Sequence, residues 1–253
     1  MKYRHLLVPI TLLTFTSNAL CNVEFFRDES TGKSFHSDIE LSLDGESGNY
    51  KSKNLDSNIG LAWDDKSSHF MTMIEHNWQS DSEVIEKNNS FFHMRYTRTL
   101  EEGQGNNFEV FLQGKRDSFR NIDSRLMAGI GYRKTTFNEI NERFNAFGLG
   151  GFYEKEKGHE LNVDLESKDW RLNAYWHHKQ PITATVFVNN VIYVQPSLGD
   201  FGNVRVSDEF RITNKVTDKA EIGFKINYSF NSEAYRSIKK TDFNYGTFIS
   251  YKF

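Results

Sequence analysis

The sequence predicts an all-β chain, a transmembrane antiparallel β-barrel of about 12 strands, on three observations. The last stretch, Thr241 to Phe253, alternates with period two: Phe253, Tyr251, Ile249, Tyr245 and Phe243 share one face, and Lys252, Ser250, Gly246 and Asn244 the other. Only Thr247 and Phe248 are reversed. Aromatic residues make up 15% of the chain while Pro9, Pro181 and Pro196 are its 3 prolines, a balance that favours long uninterrupted strands. Mean hydropathy is -0.63, and after the first twenty or so residues no apolar run is long enough for a spanning helix. That excludes a helical membrane protein but not a barrel, in which only every second residue meets lipid. A sheet that spans hydrocarbon has to close, because no edge can stay unpaired there.

The N-terminus reads as an export signal over residues 1–21. Lys2, Arg4 and His5 give a polar start, Leu6 to Phe15 an apolar segment, and Ala19-Leu20-Cys21 a small-residue cleavage region before Asn22. Removal of this segment takes the single cysteine, Cys21, with it. An exported chain without disulfides then relies on closure and hydrogen bonding for its stability. A formal charge of -3 gives no basic excess for nucleic acid. Residues 22–34 read as a polar periplasmic lead-in, with Phe25 and Phe26 packing under a single barrel domain that runs from 35 to 253.

Strand one carries Phe35, Ile39, Leu41 and Leu43 outward and ends at the turn formers Asp44 to Asn49; strand two carries Leu55, Ile59, Leu61 and Trp63. Strand three places Phe70, Ile74 and Trp78 together, and Ser80 to Asn89 reads as a long polar loop before Phe92, Met94 and Tyr96. Glu101 to Asn107 is a Gly-bearing turn into Phe108, Val110 and Leu112; Leu126, Ala128, Ile130 and Tyr132 follow, opposed by Gly129 and Gly131, which make room in the lumen for long neighbours. The segment from Phe144 to Tyr153 has two weakly apolar faces because of Gly148, Gly150 and Gly151. Leu161, Val163 and Leu165 lie on odd positions and Trp170, Leu172, Ala174 and Trp176 on even ones, so the pattern predicts a bulge within Glu166 to Asp169. Thr183 to Val194, then Val204 to Ile212, Ala220 to Phe230 and the closing strand complete the twelve. An even count puts both ends on the periplasmic side and the segments near Asp81 to Asn88 and Asn231 to Lys240 outside.

Two resemblances add to this reading. Gly246, Ile249, Tyr251 and Phe253 resemble the C-terminal signal by which outer-membrane barrels are taken up by the barrel-assembly machinery. Arg116, Asp117, Phe119, Ile122, Asp123, Arg125, Gly129, Gly131 and Tyr132 resemble an Arg-Asp-x-Phe-x-x-Ile-Asp-x-Arg run leading into a Gly-rich strand, as in the domain-of-unknown-function family 481, also described as salt-induced outer-membrane proteins. The likeness extends over roughly residues 40 to 253, with Gly48-Asn49, Val216-Thr217-Asp218 and Thr241-Asp242 as further points of similarity, and Glu154 to Trp170 as a departure. It implies a barrel of the bacterial outer membrane, in contact with lipid and lipopolysaccharide, and no known activity.

With the apolar face outward, the lumen receives Arg95, Lys115, Arg125, Arg133, Arg171, Arg205, Arg211 and Lys225 together with Asp38, Glu40, Asp56, Glu75, Glu109, Asp164, Glu209 and Glu221. Balanced signs favour an internal network of paired charges, since an unpaired ion in a low-dielectric interior is costly. A narrow small-solute pore is the alternative, and the two readings coexist if a water path survives between the pairs. Arg116, Asp117 and Asp123 fall at an outer turn, where Asp–Arg pairing within a tight loop is favoured over ligand or lipopolysaccharide binding. His76 with Asp81 and Ser82, or His159 with Glu160, are the groups from which a rim enzyme would be written, but their spacing is not diagnostic and no enzyme is expected. His177 and His178 read as interfacial rings beside Tyr175 and Trp176. No phosphate loop, dinucleotide fingerprint or metal spacing is present, so no cofactor or metal is expected. The role expected is that of an envelope protein or a narrow channel, its solute unspecified.

Overall fold

The computed structural model describes residues 34–46, 52–65, 67–81, 84–138, 140–160, 163–235 and 238–252. The export signal, almost all of the lead-in, Phe253, and the side chains of Asp38, Glu40 and Asp56 lie outside the described residues. Twelve antiparallel strands run in chain order: β1 (Ser34–Glu46), β2 (Ser52–Asp65), β3 (Ser68–Asp81), β4 (Val84–Glu101), β5 (Asn106–Asp117), β6 (Ile122–Asn138), β7 (Arg143–Glu160), β8 (Val163–Pro181), β9 (Val186–Pro196), β10 (Val204–Lys215), β11 (Ala220–Asn231) and β12 (Thr241–Lys252). Each pairs with its sequence neighbours, and β1 pairs with β12 to close the ring. At that seam the described register runs from Asp38↔Lys252 to Glu40↔Ser250.

Side-chain alternation separates two surfaces. Ile74, Leu112, Leu126, Ile130, Leu149, Trp170, Ile222 and Ile249 are exposed on the outside, forming an apolar band, whereas Arg95, Glu109, Arg133, Glu154, Arg171 and Glu209 are buried in the lumen. The polar surface is therefore interior and the apolar surface exterior, the inverse of a globular protein in water. A carboxylate interrupts the outer band: Asp208, on the face of Phe210 and Ile212, accepts a hydrogen bond from Asn190 Nδ2 at 2.6 Å.

Lumen glycines sit beneath rings. A Cβ on Gly148 would lie 1.9 Å from the ring of its cross-strand partner Tyr175, one on Gly129 2.5 Å from Phe111, and one on Gly223 2.5 Å from Phe248. No side chain fits at these positions while the rings stay in place. Packing of the rings, as much as backbone freedom, thus explains the glycines that blur the pattern of β6 and β7. At the inner turn after β4, Gly103 and Gly105 adopt left-handed φ of 76° and 66°, a conformation that other residues rarely take.

Three expectations are corrected. Ser80 to Asn89 is not a long loop, since β3 reaches Asp81 and β4 starts at Val84, with a register shift at Gln79/Ser80. The bulge within Glu166 to Asp169 is absent: β7 and β8 pair without a shift from Phe144↔Lys179 to Glu160↔Val163. Asp164 is exposed on the outward row, not in the lumen. The cause is common to all three. Beyond the hydrocarbon layer a hairpin keeps its backbone bonds without needing an apolar face, so strand continues where alternation fails. Val163 and Leu165 are both exposed on this projecting hairpin. β9 also begins later than the apolar run, at Val186, because Thr183 Oγ1 accepts from the backbone N–H groups of Thr185 and Val186 and ties residues 182–185 into an inner turn.

The two surfaces can be told apart by one substitution on each. Phe224→Arg puts a charge on the lipid-facing band and is expected to lower stability by about 2–4 kcal/mol near mid-membrane, whereas Lys225→Arg, one residue on and facing the lumen, is expected to be far milder. The urea midpoints of the two refolded variants measure this, and equal losses would mean that the register or the fold is wrong.

Candidate functional site

The lumen is crossed by ion pairs in two tiers. In the inner half, Tyr175 donates from its hydroxyl to Glu109 Oε2 at 2.8 Å and accepts from Arg133 Nη1 at 3.0 Å, while Arg95 Nη1 lies 3.7 Å from Glu109 Oε2. Arg133 is only 1% exposed and lies over the rings of Phe144 and Tyr175. These groups come from β4, β5, β6 and β8. Around them an aromatic ladder of Phe91, His93, Phe111 and Phe152 climbs the wall, with ring centroids 6.0–6.3 Å apart.

In the outer half, Glu154 and Glu156 of β7 are the acceptors on which the arginines converge. Arg171 Nε reaches Glu154 Oε1 at 2.9 Å, Arg205 Nη1 reaches Glu154 Oε2 at 2.5 Å, and Arg125 Nε reaches Glu156 Oε2 at 2.5 Å. Arg205 Nη2 shares that last oxygen at 3.3 Å. From the loop after β11, the Tyr235 hydroxyl donates to Glu156 Oε1 at 3.0 Å, its ring lying where a side chain on Gly158 would stand. Burial, with Glu156 beside it, pushes the Tyr235 phenol above its ordinary value.

The outer turn after β5 is a single 3-10 turn, Ser118–Arg120, and it is held from within. Asp117 is fully buried, accepts from the Arg120 backbone N–H at 3.2 Å and pairs with Lys115 Nζ at 2.9 Å. Asn89 Oδ1 accepts from Ser118 N–H at 2.9 Å. Arg120 then crosses the mouth to β11 and β12, donating to Asp242 Oδ2 at 2.6 Å and Ser229 Oγ at 2.7 Å. In a ring of twelve strands this is close to a full diameter. Arg116 points outward into the exposed surface, and Asp123 is exposed beside His159 Nδ1 at 3.2 Å.

The remaining residues singled out in the sequence are dispersed. Glu209 and Arg211 bond to each other on β10, with Arg211 over the Phe248 ring at 4.8 Å; Glu221 and Lys225 share the lumen row of β11 nearer the inner rim. Glu75 takes a lumen-facing place on β3 beside Met73 and Asn77. Gly246 is half-buried, and Ile249 and Tyr251 face outward on β12. His76 Nδ1 lies 3.1 Å from Ser90 Oγ on the outer face, and His159 is paired with Asp123. His178 does stand outside, against Trp176, but His177 is buried in the lumen, with Nε2 2.8 Å from Asn189 Oδ1, because the alternation turns adjacent residues to opposite faces.

Sequence reasoning missed Glu154, Glu156, Tyr175, Arg120 and Asp242. The first three belong to strands whose lumen rows were obscured by glycines or by the supposed bulge; even-numbered counting from Phe144 along β7 brings Gly148, Phe152, Glu154 and Glu156 to one face.

The model of the family described as "Protein of unknown function, DUF481" matches residues 39–253. The chain belongs to that family. No curated protein matches its sequence. In fold, the DUF481 barrel is similar to the NanC porin (10% identity, 85% of this chain and 98% of that one covered, TM-score 0.53). It is also similar to the COG4313 outer membrane channel from Pseudomonas putida F1, at 8% identity, 92% and 99% coverage and a TM-score of 0.51. A third similar structure is the translocator domain of the autotransporter NalP from Neisseria meningitidis, at 11% identity, 91% coverage of each chain and a TM-score of 0.50. The DUF481 barrel thus has the architecture of outer-membrane β-barrels.

Removing the shared acceptor should expose the cost of the outer tier. Glu154→Ala leaves Arg171 and Arg205 without their common carboxylate and is expected to destabilise the refolded barrel by about 3–5 kcal/mol, whereas replacing Glu154 and Arg171 together by methionine should cost less than the single change. Denaturant unfolding of the three proteins checks the ordering.

Proposed function

We propose that this DUF481 barrel is a structural protein of the bacterial outer membrane, exported with removal of its N-terminal signal and closed to free diffusion by its own side chains. The observation that carries the reading is the inner tier, Arg95, Glu109, Tyr175 and Arg133, packed against the aromatic ladder and drawn from four strands. Each ion in it has an opposite charge or a hydroxyl within reach, as a filled interior of low dielectric requires. Lipid and lipopolysaccharide are the partners of the apolar band and of the projecting outer hairpins, and the C-terminal strand addresses the chain to the barrel-assembly machinery. The family resemblance adds induction by salt, which protein levels in low- and high-salt medium would test. A rim enzyme has less support, since the His76 side chain bonds to Ser90 and the His159 side chain to Asp123, on different strands and not in one group.

A second reading, a narrow channel for small solutes, draws on a cavity of about 150 Å³ in the outer half of the lumen. Conductance in planar bilayers separates the two. The wild-type barrel is expected near baseline, and Tyr175→Ala combined with Arg133→Ala is expected to open a stable conductance several-fold above it. A wild-type current already equal to that of the double variant would favour the channel.

The address reading has its own test. Deleting Phe253 should slow assembly in cells and leave the chain accessible to periplasmic protease. Normal amounts of heat-modifiable, folded barrel in that variant would count against it.

A further inference from the structure

The cavity in the outer half of the lumen has a mixed lining. Phe91 and Phe111 of the aromatic ladder line it beside their neighbours Lys115 and Arg125 on β5 and β6, and Arg205 of β10 lines it from across the lumen. Acidic residues also border it, but each is already engaged. Glu156 accepts from Arg125, Arg205 and Tyr235, Asp242 from Arg120 and Glu233 from Asn203 Nδ2, while Glu209 is bonded to Arg211. The cations are not used up in the same way. A guanidinium carries five N–H donors, and the Arg205 Nε, buried from solvent, has no hydrogen-bond partner. One buried guanidinium N–H at this space is therefore left over after the ion pairs are made, and an unpaired buried donor of this kind is costly until an acceptor arrives.

We propose that this vestibule is a binding site for a small organic carboxylate carried on a single ring. The volume, about 150 Å³, matches a cavity known to hold one benzene molecule. A carboxylate oxygen suits Arg205 Nε, the donor that the pairs of Arg205 with Glu154 and Glu156 leave over. The ring body suits the ladder face, where Phe91, His93 and Phe111 are stacked nearly parallel, with interplanar angles of 5° and 11°. Beneath the cavity lies the inner tier, so the ligand enters and leaves by the outer mouth, past Tyr235 and the Arg120–Asp242 bridge. The proposal adds a ligand to the closed-barrel reading and does not depend on it, because binding and conductance are measured separately.

Titration calorimetry of the refolded full barrel in lipid nanodiscs tests it, with benzoate as the probe, benzamide as the neutral ring and acetate as the carboxylate without a ring. Benzoate is expected to bind at least tenfold more tightly than either control, with affinity falling as ionic strength rises. Arg205→Gln should weaken benzoate at least tenfold. Because that change also removes two ion pairs, gel heat-modifiability establishes that the variant is folded, and Phe111→Leu provides a second variant that leaves every charge in place and is expected to bring benzoate down towards acetate. Absence of binding to the folded wild type, equal affinity for benzamide, or unchanged affinity in folded Arg205→Gln would each overturn the proposal. If the channel reading fails or holds in bilayers, none of these outcomes changes.

Discussion

Every level of this structure depends on one requirement: in hydrocarbon, each backbone N–H and C=O needs a partner within the protein. A helix meets that need within one segment, but this sequence has no apolar run for a helix, so strands must meet it between neighbours and the sheet must return to its first edge. The seam from Asp38↔Lys252 to Glu40↔Ser250 is that return. Once the ring is closed, the two faces of every strand see different solvents. The apolar row goes to lipid, and whatever remains goes to a lumen with little room for water. The charges are inside because alternation leaves them nowhere else, and they are paired because the interior is too narrow to hydrate them all.

How the charges pair then follows from where the acids fall. β7 contributes two carboxylates two residues apart on the same face, Glu154 and Glu156, and arginines from β6, β8 and β10 all reach that short stretch. The glycines serve the same end by a different route. Tyr175 reaches Glu109 and Arg133 only because Gly148 lets its ring lie flat against β7. A polar network and a set of missing side chains are therefore parts of a single packing solution, and changing either disturbs the other.

Much of this was legible in the sequence, and the parts that were not have a physical reason. Most of the strands were visible because lipid imposes a period of two on the outer face, as in Phe108, Val110 and Leu112 or Ile222, Phe224 and Ile226, whereas β7 and β9 lacked a clean alternation. Lumen placement of Arg95, Glu109, Arg133, Arg171 and Glu209 followed from the same period. Strand ends were not visible where the wall rises above the membrane, as at Ser80–Asn89 and Glu166–Asp169, since no solvent boundary writes a pattern there. Pairing was not visible at all. Arg120 and Asp242 are 122 residues apart, and only the ring's closure makes them neighbours.

That same bridge bears on how the barrel forms. A contact between the turn after β5 and the second residue of β12 cannot exist until the last strand has been seated, so it belongs to the end of folding and contributes nothing to the early hairpins. An interaction absent from the transition state acts on the rate of unfolding rather than of folding. Arg120 is thus a clasp on the finished ring, joining elements that are distant in the chain and opposite in the barrel.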